Sequence, residues 1–164
     1  MTTRQVQVER LSVISSKPFQ QVVAALEKAI GHPDMNGFTK SVTAAKTYDE
    51  LEKIVHAATG PSELMEFTRM DLGEVLRKGS GAAARQSLRF IVGNPVTMSQ
   101  MVQPVPDAGS YAPVTILIDE RPDGVHLSYD RMASFLAPYG SPEALKVAMD
   151  LDSKVERLLA AAAR

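Results

Sequence analysis

Residues 113–130 read Pro-Val-Thr-Ile-Leu-Ile-Asp-Glu-Arg-Pro-Asp-Gly-Val-His-Leu-Ser-Tyr-Asp. Val114, Ile116 and Ile118 alternate with Thr115, Leu117 and Asp119, the two-residue period of a strand, and either set can face inward. Pro122-Asp123-Gly124 predicts a hairpin turn, proline presetting φ and glycine taking the positive-φ position. Val125 to Asp130 is then the return strand. Two paired antiparallel strands this close in sequence seed a sheet.

Upstream, Leu88, Phe90 and Val92 alternate in another strand, closed by Gly93-Asn94-Pro95. Thr97 to Gln100 has the form of a capping box and predicts a short helix carrying Met98, Met101 and Val102, broken by Pro104, Pro106 and Gly109. Downstream, Ser141-Pro142 opens a last helix with the stripe Leu145, Ala148, Met149, Val155, Leu158, Leu159 and Ala162.

The first half is more helical. Val6 and Val8 alternate with Gln5, Gln7 and Glu9, and the change of phase to Leu11 and Val13 predicts a bulge near Arg10. Ser16-Lys17-Pro18 starts a helix whose stripe is Phe19, Val22, Val23, Leu26 and Ile30, ended by Gly31. Thr47 to Glu50 is a capping box for a helix burying Leu51, Ile54, Val55 and Ala58. Residues 64–70 predict a strand with Met65 and Phe67 on one face. Asp71, with Glu74, caps a short helix through Lys78, and Gly79-Ser80-Gly81 is a flexible joint. About five strands and four to six helices give an α+β fold: a mixed or antiparallel sheet with helices packed against it. The chain reads as a single domain, 1–164, with a helical insertion at about 32–59.

Composition removes whole classes of function. The 164 residues carry 18 Lys+Arg against 19 Asp+Glu, for a formal charge of −1. That balance lacks the positive surplus a nucleic-acid binder or a polybasic membrane-surface protein requires. No apolar run reaches the roughly 18 residues of a membrane-spanning helix, and no export signal opens the chain, so the expectation is cytoplasmic. The absence of cysteine excludes disulfides, thiolate chemistry and cysteine-held metals.

Several constellations invite a chemical reading. His126, Ser128 and Asp130 share a strand face, but neighbours on that face sit roughly 6.5–7 Å apart with serine in the middle, whereas a nucleophilic triad needs a central histidine; a polar solvent face is the better reading. Met98, Met101 and His126 have the residue types of haem or copper ligands, yet methionines three apart on a helix usually pack. Three dispersed histidines make no zinc site. Gly79-Ser80-Gly81 and Gly93-Asn94-Pro95 lack a phosphate loop's lysine, and the second reads as a tight turn with Asn94 capping locally.

The segment Phe90-Ile91-Val92-Gly93-Asn94-Pro95, then Met98 and Met101, then Tyr111-Ala112-Pro113-Val114 and Leu127-Ser128-Tyr129-Asp130, resembles domain-of-unknown-function family 302, the TT-seventeen-fifty-one-like fold. Order and spacing match across about residues 60–140. Many relatives carry Asp-His after the second strand, where Asp71 is here followed by Leu72, so no role of that histidine transfers. The resemblance implies an α/β sandwich that commonly forms homodimers and implies no activity.

The expected site is one pocket beside the Gly93-Asn94-Pro95 turn, lined by Phe67, Asn94, Met101, Tyr111, Tyr129 and Asp130, with Glu66, Asp71 and Arg131 nearby. The leading expectation is a homodimer binding a small, partly apolar molecule without a cofactor, and without nucleic-acid or membrane partners. The alternative is a cofactor-free enzyme using Glu66, Asp71 or Asp130 as general base and Tyr111 or Tyr129 as acid or oxyanion donor. A protein-interaction module whose shallow cleft is filled by its own side chains is the third.

Overall fold

The computed structural model describes residues 1, 3–80 and 85–164. Among them are five strands, β1 (Arg10–Ser15), β2 (Met65–Asp71), β3 (Ser87–Gly93), β4 (Val114–Arg121) and β5 (Gly124–Asp130). The helices are α1 (Phe19–Ala29), α2 (Met35–Ala44), α3 (Tyr48–Ala58), α4 (Leu72–Ser80), α5 (Pro95–Val102), α6 (Met132–Leu136) and α7 (Pro142–Ala163). The strands form one antiparallel sheet in the order β1-β5-β4-β3-β2. The α+β expectation therefore stands, with more helices than the sequence count. No helix among the described residues is long and apolar enough to cross a membrane.

The β4–β5 hairpin turns where expected. Gly124 has φ +136°, and a Cβ there would lie 2.7 Å from the Ser15 carbonyl oxygen. Only glycine accommodates both constraints. Register then sorts the strand residues into two faces. On the inner face Leu88, Ile118, Leu127 and Val13 form one cross-strand row, and Phe90, Ile116, Tyr129 and Leu11 form the next. This settles the open choice in β4: Val114, Ile116 and Ile118 face the core. Helices α1, α5 and α7 cover that face through Phe19, Val22, Leu26, Met101, Val155 and Leu159. Each such large side chain, fully buried, contributes about 2 kcal/mol or more.

The outer face carries the row Met70, Arg89, Leu117, Ser128, Ser12 and, beside it, Thr68, Ile91, Thr115. Asp119 also lies on this side and is buried, held by Arg121 at 2.7 Å and Arg85 at 3.4 Å. Helix α4 packs against β3, so close that a Cβ on Gly73 would meet the Arg85 carbonyl oxygen at 2.7 Å.

Several local expectations need correction. β1 begins at Arg10 and pairs with β5 without a bulge; residues 5–9 have no partner strand. α1 is entered through Pro18 with no side-chain cap. α5 is capped by Asn94, whose side-chain oxygen accepts from Val96 and Thr97 amides at 2.9 and 3.2 Å, so Thr97 is inside the helix rather than its cap. The alternation in β2 breaks between Glu66 and Thr68, where register shifts and leaves Phe67 as the extra residue of a bulge. His126 and Ser128 are buried, not on a solvent face. In α7, Met149 is exposed, and the stripe instead takes in Leu151 and Asp152. The capping interactions at Thr47 and Asp71 form as expected, each side chain accepting the amide of the glutamate three residues on. Only Val55 of the α3 stripe is buried. Gly79 and Ser80 close α4, and Gly81 of the expected joint lies outside the described residues.

Among the described residues, Asp152 is the one carboxylate placed in the buried stripe of a helix. Its Oδ1 accepts from the Tyr129 hydroxyl at 2.6 Å and the Met132 amide at 2.7 Å, and Oδ2 accepts from the Ala133 amide at 3.0 Å. It thereby caps α6, whose preceding residue Arg131 provides no side-chain cap. Burial, reinforced by the adjacent carboxylate, pushes the Tyr129 hydroxyl far above the usual tyrosine range, so it stays a donor. Asp152→Ala leaves the Tyr129 hydroxyl and the Ala133 amide without their acceptor, and the Met132 amide with the longer bond to the Tyr129 oxygen at 3.2 Å; it is expected to lower unfolding free energy by on the order of 3 kcal/mol. Asp152→Asn, which keeps one oxygen, loses less. Urea denaturation reads both, and an unchanged midpoint in Asp152→Ala would refute this account of the core.

Candidate functional site

The outer row of the sheet floors a cleft of about 540 Å³. Arg89, Ile91, Thr115, Leu117 and Ser128 supply strand positions, Arg10 and Asp130 a corner, Leu72 of α4 a wall, and Tyr111 with Phe135 one end. The two-residue strand period explains the mixture: β4 sends apolar residues to the core and Thr115 and Leu117 to this side. Arg10 and Asp130 face each other in register and form a two-pronged ion pair at 2.6 and 2.8 Å. Hydrogen bonding to Asp130 raises the Arg10 guanidinium further above its ordinary range. Arg89 is exposed and bonds the Thr115 hydroxyl at 3.4 Å; no carboxylate pairs with it among the described residues. The Ser128 hydroxyl has no hydrogen-bond partner among those residues either.

The aromatic end is tightly built. Tyr111 stacks on Phe135 with ring centroids 4.7 Å apart and meets Tyr139 edge-on at 6.5 Å, the two hydroxyls 3.0 Å apart. Arg4 lies over the Tyr139 ring at 4.2 Å. The Tyr139 hydroxyl is held above the usual tyrosine range, first by its bond with Tyr111.

Beside the Gly93-Asn94-Pro95 turn lies a second, smaller pocket of about 120 Å³, almost wholly apolar, lined by Phe67, Asn94, Met98, Met101 and Leu151 among others. Ala112, Pro113 and Val114 border both spaces. The expected single pocket is thus two: Phe67, Asn94 and Met101 belong to the small one, and Tyr111, Tyr129 and Asp130 to the cleft. Tyr129 borders the cleft but commits its hydroxyl to Asp152 in the core. Asn94 spends its side chain on capping α5 and on the Glu63 carbonyl at 3.0 Å. Arg131 pairs with Glu156 at 2.8 Å and lines neither space.

Residues 32–59 contribute to neither. They fold as α2, which buries no residue, and α3, which lies against α5 and borders a separate groove with Asn94 and Val96. The His126 imidazole bonds Asp123 at 2.8 Å and no serine. Met101 is buried in the core. Among the described residues no cluster of three or more acidic or histidine side chains is placed to hold a metal.

The other carboxylates singled out from sequence are engaged. Asp71 caps α4 and contacts Arg77 at 3.3 Å. Glu66 accepts from Arg69 at 2.8 and 2.7 Å and lies 3.2 Å from the His32 ring. Arg69 is also paired with Glu27 and lies over the Phe90 ring at 4.7 Å. The hydrogen bonds from Arg69 hold the Glu66 carboxyl below its ordinary value, against the opposing effect of partial burial and with help from the His32 charge.

Sequence reading missed Arg10, Arg89, Thr115, Leu117 and Phe135. The available signal was the second alternating set of β4, together with Arg89 and Ile91 in β3.

The family model described as Domain of unknown function DUF302 matches residues 38–162. A crystal structure of the uncharacterized conserved protein DUF302 from Bacillus stearothermophilus has a similar fold, with a TM-score of 0.65 at 11% identity over 94% of this chain and 98% of that one. No curated protein matches the chain.

The Glu66–Arg69 pair has a pH signature. A carboxylate with a lowered folded pKa stabilises fully above its unfolded value, ordinarily 4.5, and that contribution is lost as pH falls through the folded value. Glu66→Gln is therefore expected to flatten the loss of stability as pH falls below the ordinary glutamate value of 4.5. Urea midpoints across that range measure it; parallel curves for variant and wild type would remove Glu66 from the acid response.

Proposed function

Because the chain belongs to the DUF302 family, which has no assigned function, we propose a role from its own geometry: a homodimeric accessory protein that binds small, partly apolar molecules in the outer cleft without a cofactor. The observation that carries this reading is the cleft itself. Its volume of about 540 Å³ suits a small ligand, since such sites span roughly 300–1,000 Å³ with apolar walls and a few placed polar groups. Ile91, Leu117, Leu72 and the Tyr111–Phe135 stack supply the walls, and Arg89, Thr115 and Ser128 the polar groups. The cleft is not filled by its own side chains, which weighs against the pure interaction module.

General-base chemistry has less support. A base working near neutral pH needs a carboxyl raised by desolvation, whereas Glu66 is lowered and Asp130 is clamped by Arg10. Tyr129, a proposed acid, donates into the core.

The homodimer reading draws on the resemblance and on exposed apolar residues at both edges of the outer side. Ile14 and Met70 lie on the outer face, and Val75 is 70% exposed on α4. Exposed apolar side chains such as these are available for contact with a second copy of the chain.

Two measurements test the proposal. Light scattering is expected to give twice the 17.8 kDa chain mass, and Val75→Glu, which disturbs no buried contact, should return the particle to a single chain. A wild-type particle of one chain mass overturns the dimer. In titrations of isotope-labelled protein with octanol and with indole, the amides of Thr115, Leu117, Ser128 and Tyr111 should shift in a saturable way. No shift there with either probe would overturn the cleft as a binding site.

A further inference from the structure

We propose that the outer cleft takes a carboxylate monoanion with an apolar body, its carboxylate held by Arg89 and Thr115 and its body lying over Ile91 and Leu117 toward Tyr111 and Phe135. This rests on the cleft being a small-molecule site. Two guanidinium groups and one carboxylate line the cleft, and Asp130 is taken by Arg10 in a two-pronged pair. Arg89 is the cation left over, with only a hydroxyl, at 3.4 Å, as partner among the described residues. A single guanidinium balances a single negative charge, and its planar fork matches the two oxygens of a carboxylate. A phosphate dianion would leave charge uncompensated here.

Position supports the same orientation. Arg89 stands between Met70 and Leu117 in its cross-strand row, and Ile91 is opposite Thr115 in the next. The cation is therefore flanked by apolar floor. Thr115 accepts from Arg89 through its oxygen, so its own O–H is available to donate to an anion seated against the guanidinium. Across Leu117, the Ser128 hydroxyl is a second group without a partner among the described residues, suited to a polar substituent on the body of the ligand. At the far end the stacked Tyr111–Phe135 pair offers an apolar wall.

Octanoate and octanol have the same chain length and differ in the charged head, so isothermal titration of both separates charge from burial. Octanoate is expected to bind the wild type about tenfold more tightly than octanol. Arg89→Met keeps the apolar stem and removes the fork; since Arg89 is exposed, the variant should fold. It should bind octanoate no better than octanol. Equal wild-type affinity for the two probes would overturn the carboxylate assignment while leaving the small-molecule site standing. A preference for octanoate that survives in Arg89→Met would also overturn it, because the charge would then be read elsewhere. If neither probe binds the wild type, the cleft reading fails and this inference with it.

Discussion

A buried carboxylate on the last helix ties together the parts of this molecule that could otherwise drift apart. Asp152 sits in the apolar stripe of α7, yet accepts from Tyr129 on the sheet and from the first two amides of α6. A polar side chain in that position is stable only because three donors replace the water it gives up. One group therefore fixes the α7-to-sheet distance, starts α6 where the chain leaves β5, and sets where Phe135 comes to rest. Since Phe135 stacks on Tyr111, the shape of the cleft's aromatic end follows from a carboxylate that never touches the cleft.

The second constraint is the asymmetry of the sheet. Helices α1, α5 and α7 cover one face, and its two central cross-strand rows are apolar from β3 to β1. The other face receives α4 near the start of β3. Antiparallel sheets tolerate one face without helices because alternate residues can be polar, but this outer face is neither fully polar nor fully apolar. Arginine, threonine and serine are interleaved with Ile91 and Leu117, and a concave surface with that mixture is suited to an amphipathic small molecule. In the resulting division of labour, the inner face provides stability and the outer face is the one we propose for recognition.

Much of this was legible in the residues. The hairpin of Pro122-Asp123-Gly124 and the alternation on either side led directly to the antiparallel pair, and the strand ending in Gly-Asn-Pro placed β3 and the family. The site was legible only in halves. Phe67, Asn94 and Met101 converge, as do Tyr111, Tyr129 and Asp130, but Ala112 to Val114 run between the two groups. Nothing in linear order shows a backbone passing through an imagined pocket. Periodicity also could not say which alternating set of β4 faces inward, since Leu117 and Ile118 are equally apolar; the choice is made by partners two strands away. Asp152 left a sharper trace: an acid four residues after Ala148 and three before Val155, on a stripe otherwise apolar, marks a buried acceptor whose donors must come from elsewhere in the fold.

The central claim is that the outer cleft is a binding site and not a by-product of leaving one sheet face uncovered. Native mass spectrometry of the protein purified gently from its own host tests it most directly, since subunit count and any retained ligand appear in one spectrum. The account predicts a dimer carrying a discrete additional mass on each chain, released on mild activation as an acidic, partly apolar compound. Chains at their bare mass, in preparations never exposed to detergent or solvent, would contradict it.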